Sequence, residues 1–125
     1  MKQTKMMKKN YEFRNVLSKG KYYSGRYIEA FVKKNKIDYV NFLGLAVSVK
    51  TAKAVKRNHI KRLLRENYQK QEPLLKKGYS IVFLWKKKAD VSDAKYHNLE
   101  KDMQIIFDKA NLKKETYEKF TNMAN

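Results

Sequence analysis

The sequence lacks cysteine altogether, which excludes disulfides, thiolate metal sites and thiol nucleophiles. It has only one proline and four glycines in 125 residues, so few positions force a break in secondary structure. No apolar run approaches the roughly 20 residues of a membrane span, and no signal-peptide apolar segment is present. We therefore expect a cytoplasmic protein that does not act at a membrane.

Acidic residues are also scarce. The chain has 12 of them against 30 lysines and arginines, which gives a net charge of +18. This charge exceeds what solubility needs and repels itself when the chain compacts, so an anionic partner is expected. Nucleic acid is favoured over an anionic membrane because no membrane-directed segment is found. The length and the apolar content fit one ordinary domain.

Arginine is the exception within this basic composition, since 25 residues are lysine and only five are arginine. Three of the five, Arg57, Arg62 and Arg65, fall within nine residues. The planar guanidinium can hold phosphate oxygens or base edges at two points, which a lysine ammonium cannot do. This window is therefore the first candidate for nucleic-acid contact.

Hydrophobic periodicity predicts a single α+β domain over residues 10–112, in the order helix, strand, strand, helix, strand, helix. A basic stretch without periodicity, residues 1–9, is predicted to be a flexible arm, and residues 113–125 a frayed tail. Translation could begin at Met1, Met6 or Met7. Three helices are predicted: the first spans 10–20 with Asn10 as its N-cap, the second spans 54–70, and the third begins at a cap on Ser92. The predicted strands span 27–34, 39–50 and 79–85. The first two strands are expected to form a hairpin.

The central predicted helix has two unlike faces. At about 100° per residue, Ile60, Leu63, Leu64 and Tyr68 form an apolar stripe. Opposite the stripe lie Asn58, Lys61, Arg62 and Arg65. A charged helix face is most often only a solvated surface. The cluster of arginines, with no acidic residue in the predicted helix before Glu66, favours a polyanion that relieves the repulsion.

These residues carry a family resemblance. The run Ala54-Val55-Lys56-Arg57-Asn58-His59-Ile60-Lys61-Arg62-Leu63-Leu64-Arg65-Glu66 resembles the signature helix of the bacterial ribonuclease P protein. The strand Leu43-Gly44-Leu45-Ala46-Val47-Ser48-Val49-Lys50 and the opening Asn10, Phe13, Val16 and Gly20 are also similar to that family. The matches extend over roughly 8–112, in the family's order of elements, about one domain length.

The resemblance implies a small mixed sheet with three helices and a strand-helix-strand crossover of the rare left-handed kind. It also implies an RNA-binding subunit that assists removal of the 5′ leader from precursor tRNA, with catalysis by the RNA subunit and its magnesium. No further protein partner is required. The residues expected to bind the RNA subunit are Lys50, Lys53, Lys56, Arg57, Asn58, Lys61, Arg62 and Arg65. The residues expected to line a cleft for the leader are Phe13, Leu17 and Phe31.

Two positions depart from the family pattern. His59 stands where a second arginine is usual, so a forked phosphate contact is lost there. Ala52-Lys53 replaces a loop glycine. In the cleft, unpaired bases would stack on the aromatic rings. Core packing is the alternative role for these three residues; it is favoured for Leu17, whereas the alternation of the strand favours the cleft for Phe31.

No residue pattern indicates an active site within the protein. A protein nuclease would need clustered carboxylates or a histidine pair, whereas the acidic pairs Asp90 with Asp93 and Glu100 with Asp102 fit helix capping better. No protein-bound metal site is assigned. The alternatives are a structural RNA-binding protein, such as a small ribosomal protein, and a nonspecific DNA-compacting protein. A preference for precursor over mature tRNA distinguishes a ribonuclease P protein subunit from both of these alternatives.

Overall fold

The computed structural model describes residues 1–114, which form three α-helices and five strands. The strands are β1 (Thr4–Met6), β2 (Lys21–Ser24), β3 (Ile28–Lys34), β4 (Asn41–Ala46) and β5 (Tyr79–Trp85), and the helices are α1 (Asn10–Lys19), α2 (Ala54–Gln71) and α3 (Tyr96–Lys109). Short 3₁₀ turns cover Glu72–Leu74 and Val91–Asp93. None of the helices in this part of the chain is long and apolar enough to cross a membrane.

The five strands make one mixed sheet in the order β1-β4-β5-β3-β2. β4 runs parallel to both β1 and β5, whereas β3 is antiparallel to β5 and to β2. The α+β class, the three helices and the mixed sheet are as predicted. The segment β4-α2-β5 is the expected strand-helix-strand crossover, and its left-handedness stays a prediction.

The hydrophobic core lies between one face of the sheet and the helices α2 and α3. On β3 the buried residues alternate along the strand, as the period of two requires. Ile28, Ala30 and Val32 therefore point into the core with Phe83 of β5 and Phe107 of α3, whose rings pack edge to face at 5.9 Å. The other sheet face is left for α1, which packs against β3 and β5.

The predicted hairpin of the first two strands is wrong. β3 and β4 do not pair, because β5 lies between them and bonds to both. The hairpin that does form joins β2 to β3, with Tyr22 opposite Phe31. β2 has four residues, too few for its alternation to stand out in the sequence.

The N-terminal stretch is not simply an arm, since Thr4–Met6 add a strand to the sheet edge. The Thr4 side chain is buried, and its hydroxyl lies 2.7 Å from the Tyr68 hydroxyl of α2. Burial raises the pKa of Tyr68 to about 12. At the C-terminal end, Lys113 forms an isolated antiparallel β-bridge with Leu75. Residues 115–125 of the predicted tail lie outside the described residues.

Two predicted helix ends are shifted. Asn10 is the first helical residue of α1, with Lys9 at the N-cap and no side-chain cap bond. Asp90, not Ser92, makes a cap, by accepting the Ser92 amide at 2.9 Å at the start of a 3₁₀ turn; this bond lowers the pKa of Asp90. α3 begins only at Tyr96.

Candidate nucleic-acid interface

The helix α2 has the two faces that its sequence predicted. Ile60, Leu64 and Tyr68 are completely buried, and Leu63 nearly so. On the opposite side of the helix lie Asn58, Lys61, Arg62 and Arg65. Lys56 and Arg57 belong to its first turn, and Lys50 and Lys53 to the segment that leads into it. We call these eight residues, all exposed or half-buried, the basic face. The predicted RNA-subunit residues thus lie along the outer side of α2 and around its N-terminus.

The beginning of α2 is unusually electropositive. Lys53 occupies the N-cap without a side-chain cap bond, and the first turn holds no acidic residue. Helix N-termini normally attract carboxylates or capping side chains, because their free amides carry partial positive charge. Here that positive end is combined with Lys50 and Lys56. The arrangement suits a phosphate group, which amides and ammonium groups both stabilise.

The three clustered arginines differ in their surroundings. Arg57 donates from Nη1 to the Ala52 carbonyl at 2.7 Å and so braces the loop before the helix. Arg62 is mostly exposed and has Glu66 at 3.8 Å. Within residues 1–114, no carboxylate lies within 4.0 Å of Lys61 or Arg65. Among the described residues, the Arg65 guanidinium therefore has no carboxylate that competes for it.

His59 is half-buried beside this face, with Nδ1 at 3.4 Å from Arg62 Nη2. At that distance the imidazole orients the Arg62 side chain only weakly. It does not replace the forked contact that a second arginine would make.

The second face of the sheet carries the three residues predicted for the leader cleft. Phe13 of α1 lies over β4, where an added Cβ at Gly44 would be 3.0 Å from its ring. Gly44 pairs with Val82, which pairs with Phe31, so Phe31 lies in the same row two strands away, roughly 10 Å across the sheet. Leu17 lies one turn further along α1.

None of the three belongs to the buried core, and each remains partly exposed. Core packing, the role that the sequence favoured for Leu17, is therefore not what the structure shows. We call the surface formed by Phe13, Leu17, Phe31 and their neighbour Tyr22 the aromatic cleft. Whether it binds a leader stays a prediction.

Tyr22 is the cleft residue that the sequence did not reveal. Its ring centroid lies 5.3 Å from that of Phe31, and its hydroxyl donates to Glu29 Oε2 at 2.6 Å. The hydrogen bond to this carboxylate raises the pKa of Tyr22. The bond fixes the exposed tyrosine ring beside Phe31 and so extends the aromatic surface. Its position became visible only through the pairing of β2 with β3.

Comparison with known proteins identifies the family. A sequence model described as Ribonuclease P matches residues 1–111. This chain belongs to the ribonuclease P protein family. Among curated members, the ribonuclease P protein component of Natranaerobius thermophilus is 37% identical over 112 residues, covering 90% of this chain and 95% of that protein. The Fusobacterium nucleatum component is 40% identical over 103 residues, covering 81% and 92%.

Solved structures of the family have the same fold. The ribonuclease P protein of Staphylococcus aureus superposes with a TM-score of 0.75 at 26% identity, covering 87% of this chain and 97% of its own. The Thermotoga maritima protein gives a TM-score of 0.71 at 25% identity, covering 80% and 92%. The single small domain with three helices and a mixed sheet is therefore the fold of the ribonuclease P protein family.

The resemblance to the family implies magnesium. The described part of this chain offers no set of ligands for it. Within residues 1–114, no three histidine or acidic side chains are grouped closely enough to hold a metal ion. Asp102, which the sequence assigned to capping, instead accepts three backbone amides of the β2–β3 turn. The groups that the described interface offers are positive charges and aromatic rings.

Proposed function

We propose that this chain is the protein component of ribonuclease P. In that role it assists the magnesium-dependent removal of the 5′ leader from precursor tRNA in the cytoplasm. The observation that carries the proposal is the presence, on a ribonuclease P protein fold, of a basic helix face and a separate aromatic cleft. The basic face suits a folded polyanion, and the aromatic cleft suits unpaired bases. Catalysis is assigned to the RNA subunit, whose phosphates would hold the magnesium.

The basic face is proposed to bind the RNA subunit. Its charges lie along one side of α2 and at its uncapped N-terminus, a linear array that can follow a phosphate backbone. Arg65 is better placed for a forked phosphate contact than Arg62, because Glu66 competes for the latter. Binding should therefore release counterions and weaken as salt increases.

The aromatic cleft is proposed to hold the leader. Phe31 and Tyr22 lie side by side on the open side of the sheet, with ring centroids 5.3 Å apart, and the absence of a side chain at Gly44 leaves room for the Phe13 ring. Bases that stack on such rings are bound with little regard to sequence, as expected for a subunit that must accept many leaders. The protein then contributes position and charge neutralisation, and no additional protein partner is needed.

The test compares precursor tRNA with the same tRNA lacking its leader, each bound by a bacterial ribonuclease P RNA with and without this protein. The protein should strengthen precursor binding more than leaderless tRNA binding. Phe31→Ala should reduce that difference by roughly tenfold, the value of about one stacked base. Ile105→Ala, which removes an exposed apolar side chain from α3, should leave it unchanged. Equal strengthening of both RNAs would instead identify a structural RNA-binding protein.

A further inference from the structure

The helix α1 separates the aromatic cleft from a second depression on the same sheet face. This depression, which we call the lysine groove, has a volume of about 630 Å³. Residues of α1, β3, β4 and the loop after β3 line it. Those that matter here are Tyr11, Asn15, Lys33, Lys34, Lys36 and Phe42. It is not part of the cleft assigned to the leader above.

Sheet register and helix geometry both separate the two sites. Phe42, Ser80 and Lys33 lie in one row across β4, β5 and β3, and Phe31 lies in the next row. On α1, Asn15 and Leu17 are two residues apart and so point about 200° away from each other. Asn15 faces the lysine groove, whereas Leu17 faces the aromatic cleft.

The groove combines cationic, hydrogen-bonding and aromatic groups. Lys33 donates from Nζ to Asn15 Oδ1 at 2.6 Å, which holds the ammonium over the groove floor, and Glu12 is the one acidic residue among the lining residues. Tyr11 is 62% exposed at the rim, and Phe42 is half-buried at the floor. Ammonium groups with accessible rings are the composition of a surface for unpaired nucleotides.

The outer side of α1 offers a path between the two sites. Arg14 is exposed there, between the direction of Leu17 and that of Tyr11 around the helix. The Lys9 ammonium lies 5.7 Å from the Tyr11 ring centroid and adds positive charge to the same side. An RNA strand that leaves the aromatic cleft and crosses α1 would therefore meet the Arg14 guanidinium, then the Tyr11 ring and then the lysine groove.

We propose that the lysine groove binds nucleotides of the 5′ leader that lie beyond those held in the aromatic cleft. The inference rests on the proposed function, because it takes the leader as the RNA present at α1. Phosphates of the distal leader would contact Lys33 and Lys36, and one base would stack on Tyr11. Long leaders would then be bound more tightly than short ones.

The test uses the holoenzyme reconstituted with a bacterial ribonuclease P RNA and two precursor tRNAs, one with a short leader and one with a long leader. The long leader should bind roughly tenfold more tightly, about one stacked base and a phosphate contact. The double variant Tyr11→Ala with Lys33→Met should abolish that advantage and leave short-leader binding unchanged. Lys101→Met, an equal loss of charge on exposed α3 surface, is the matched control.

A second readout needs no variant. A photoreactive uridine in the distal part of the long leader should crosslink to peptides that contain Tyr11 or Lys33. An advantage of the long leader that survives the double variant, or crosslinks confined to other surfaces, would overturn the inference. The proposed function fails separately, if the unaltered protein does not favour even the short-leader precursor over leaderless tRNA.

Discussion

Asp102 gives the most demanding prediction on the architecture of the cleft. Its carboxylate is buried and accepts the amides of Arg26, Tyr27 and Ile28 at 2.5 to 3.0 Å. A Cβ on the neighbouring Gly25 would lie 2.7 Å from the Asp102 Cγ, so the turn fits closely around this group. The turn joins β2 to β3, the two strands that carry the aromatic pair of the cleft.

Replacing Asp102 with Asn changes this contact with almost no change in volume. The new amide keeps most bonds by turning its one oxygen towards the amides of Tyr27 and Ile28, which both donate to Oδ2. Its NH₂ then faces the Arg26 amide, which loses its acceptor. One buried donor left without a partner costs about 1–3 kcal/mol, and the NH₂ group that faces it adds repulsion, so a loss of about 2–3 kcal/mol is expected. For a chain of this size the melting temperature should fall by roughly 8–12 °C.

Urea denaturation followed by circular dichroism measures this change. Glu100→Gln is the matched control, since it makes the same substitution of a carboxylate on α3 at an exposed ion pair with Lys70. It should leave the denaturation midpoint nearly unchanged. A loss below about 1 kcal/mol for Asp102→Asn would refute the role of this carboxylate in holding the turn, because even one lost buried hydrogen bond costs that much.

Three further predictions concern the interface and its support. Arg65→Ala should weaken holoenzyme assembly more than Arg62→Ala, without moving the cleavage site. It should also make the negative slope of log affinity against log salt shallower by about 0.7–0.9. Equal effects of the two variants in filter binding would contradict the difference in the surroundings of Arg65 and Arg62. Gly44→Val should push the Phe13 ring aside, cost about 1–3 kcal/mol and reduce leader preference, and a wild-type preference would count against the cleft. Tyr68→Phe should cost about 1–2 kcal/mol near neutral pH. The pKa of the Tyr68 hydroxyl is about 12 in the folded protein and 10.0 in the unfolded chain, so its contribution to stability is full below pH 10 and is lost towards pH 12. Between pH 10 and pH 12, the urea midpoint of Tyr68→Phe should therefore fall less than that of the unaltered protein.

The parts of the fold that the sequence predicted are those with long, regular apolar patterns. The stripe of α2 identified its buried side, and the continuous apolar run of β5 gave its bounds as Tyr79–Trp85. The alternation of β3 assigned Phe31 to the face opposite the core, where it lies. In each case burial itself determines the pattern, so the pattern could be interpreted without knowing the partners.

The parts that were missed depend on partners distant in sequence. β1 is three residues of a basic stretch and becomes a strand only because β4 offers a parallel edge. The hairpin prediction was wrong because proximity in sequence suggested pairing, whereas β5 is inserted from more than thirty residues away. Asp102 looked like a capping residue because its hydrogen-bond donors, the amides of Arg26, Tyr27 and Ile28, are 74 to 76 residues away. Such pairings leave no local signal.

The most direct test of the central claim is cleavage of precursor tRNA at low magnesium by a bacterial ribonuclease P RNA, with and without this protein. The account predicts that the protein restores cleavage at the mature 5′ end and that the protein alone cleaves nothing. Cleavage by the RNA that is unchanged by the protein, or cleavage by the protein without the RNA, would contradict it.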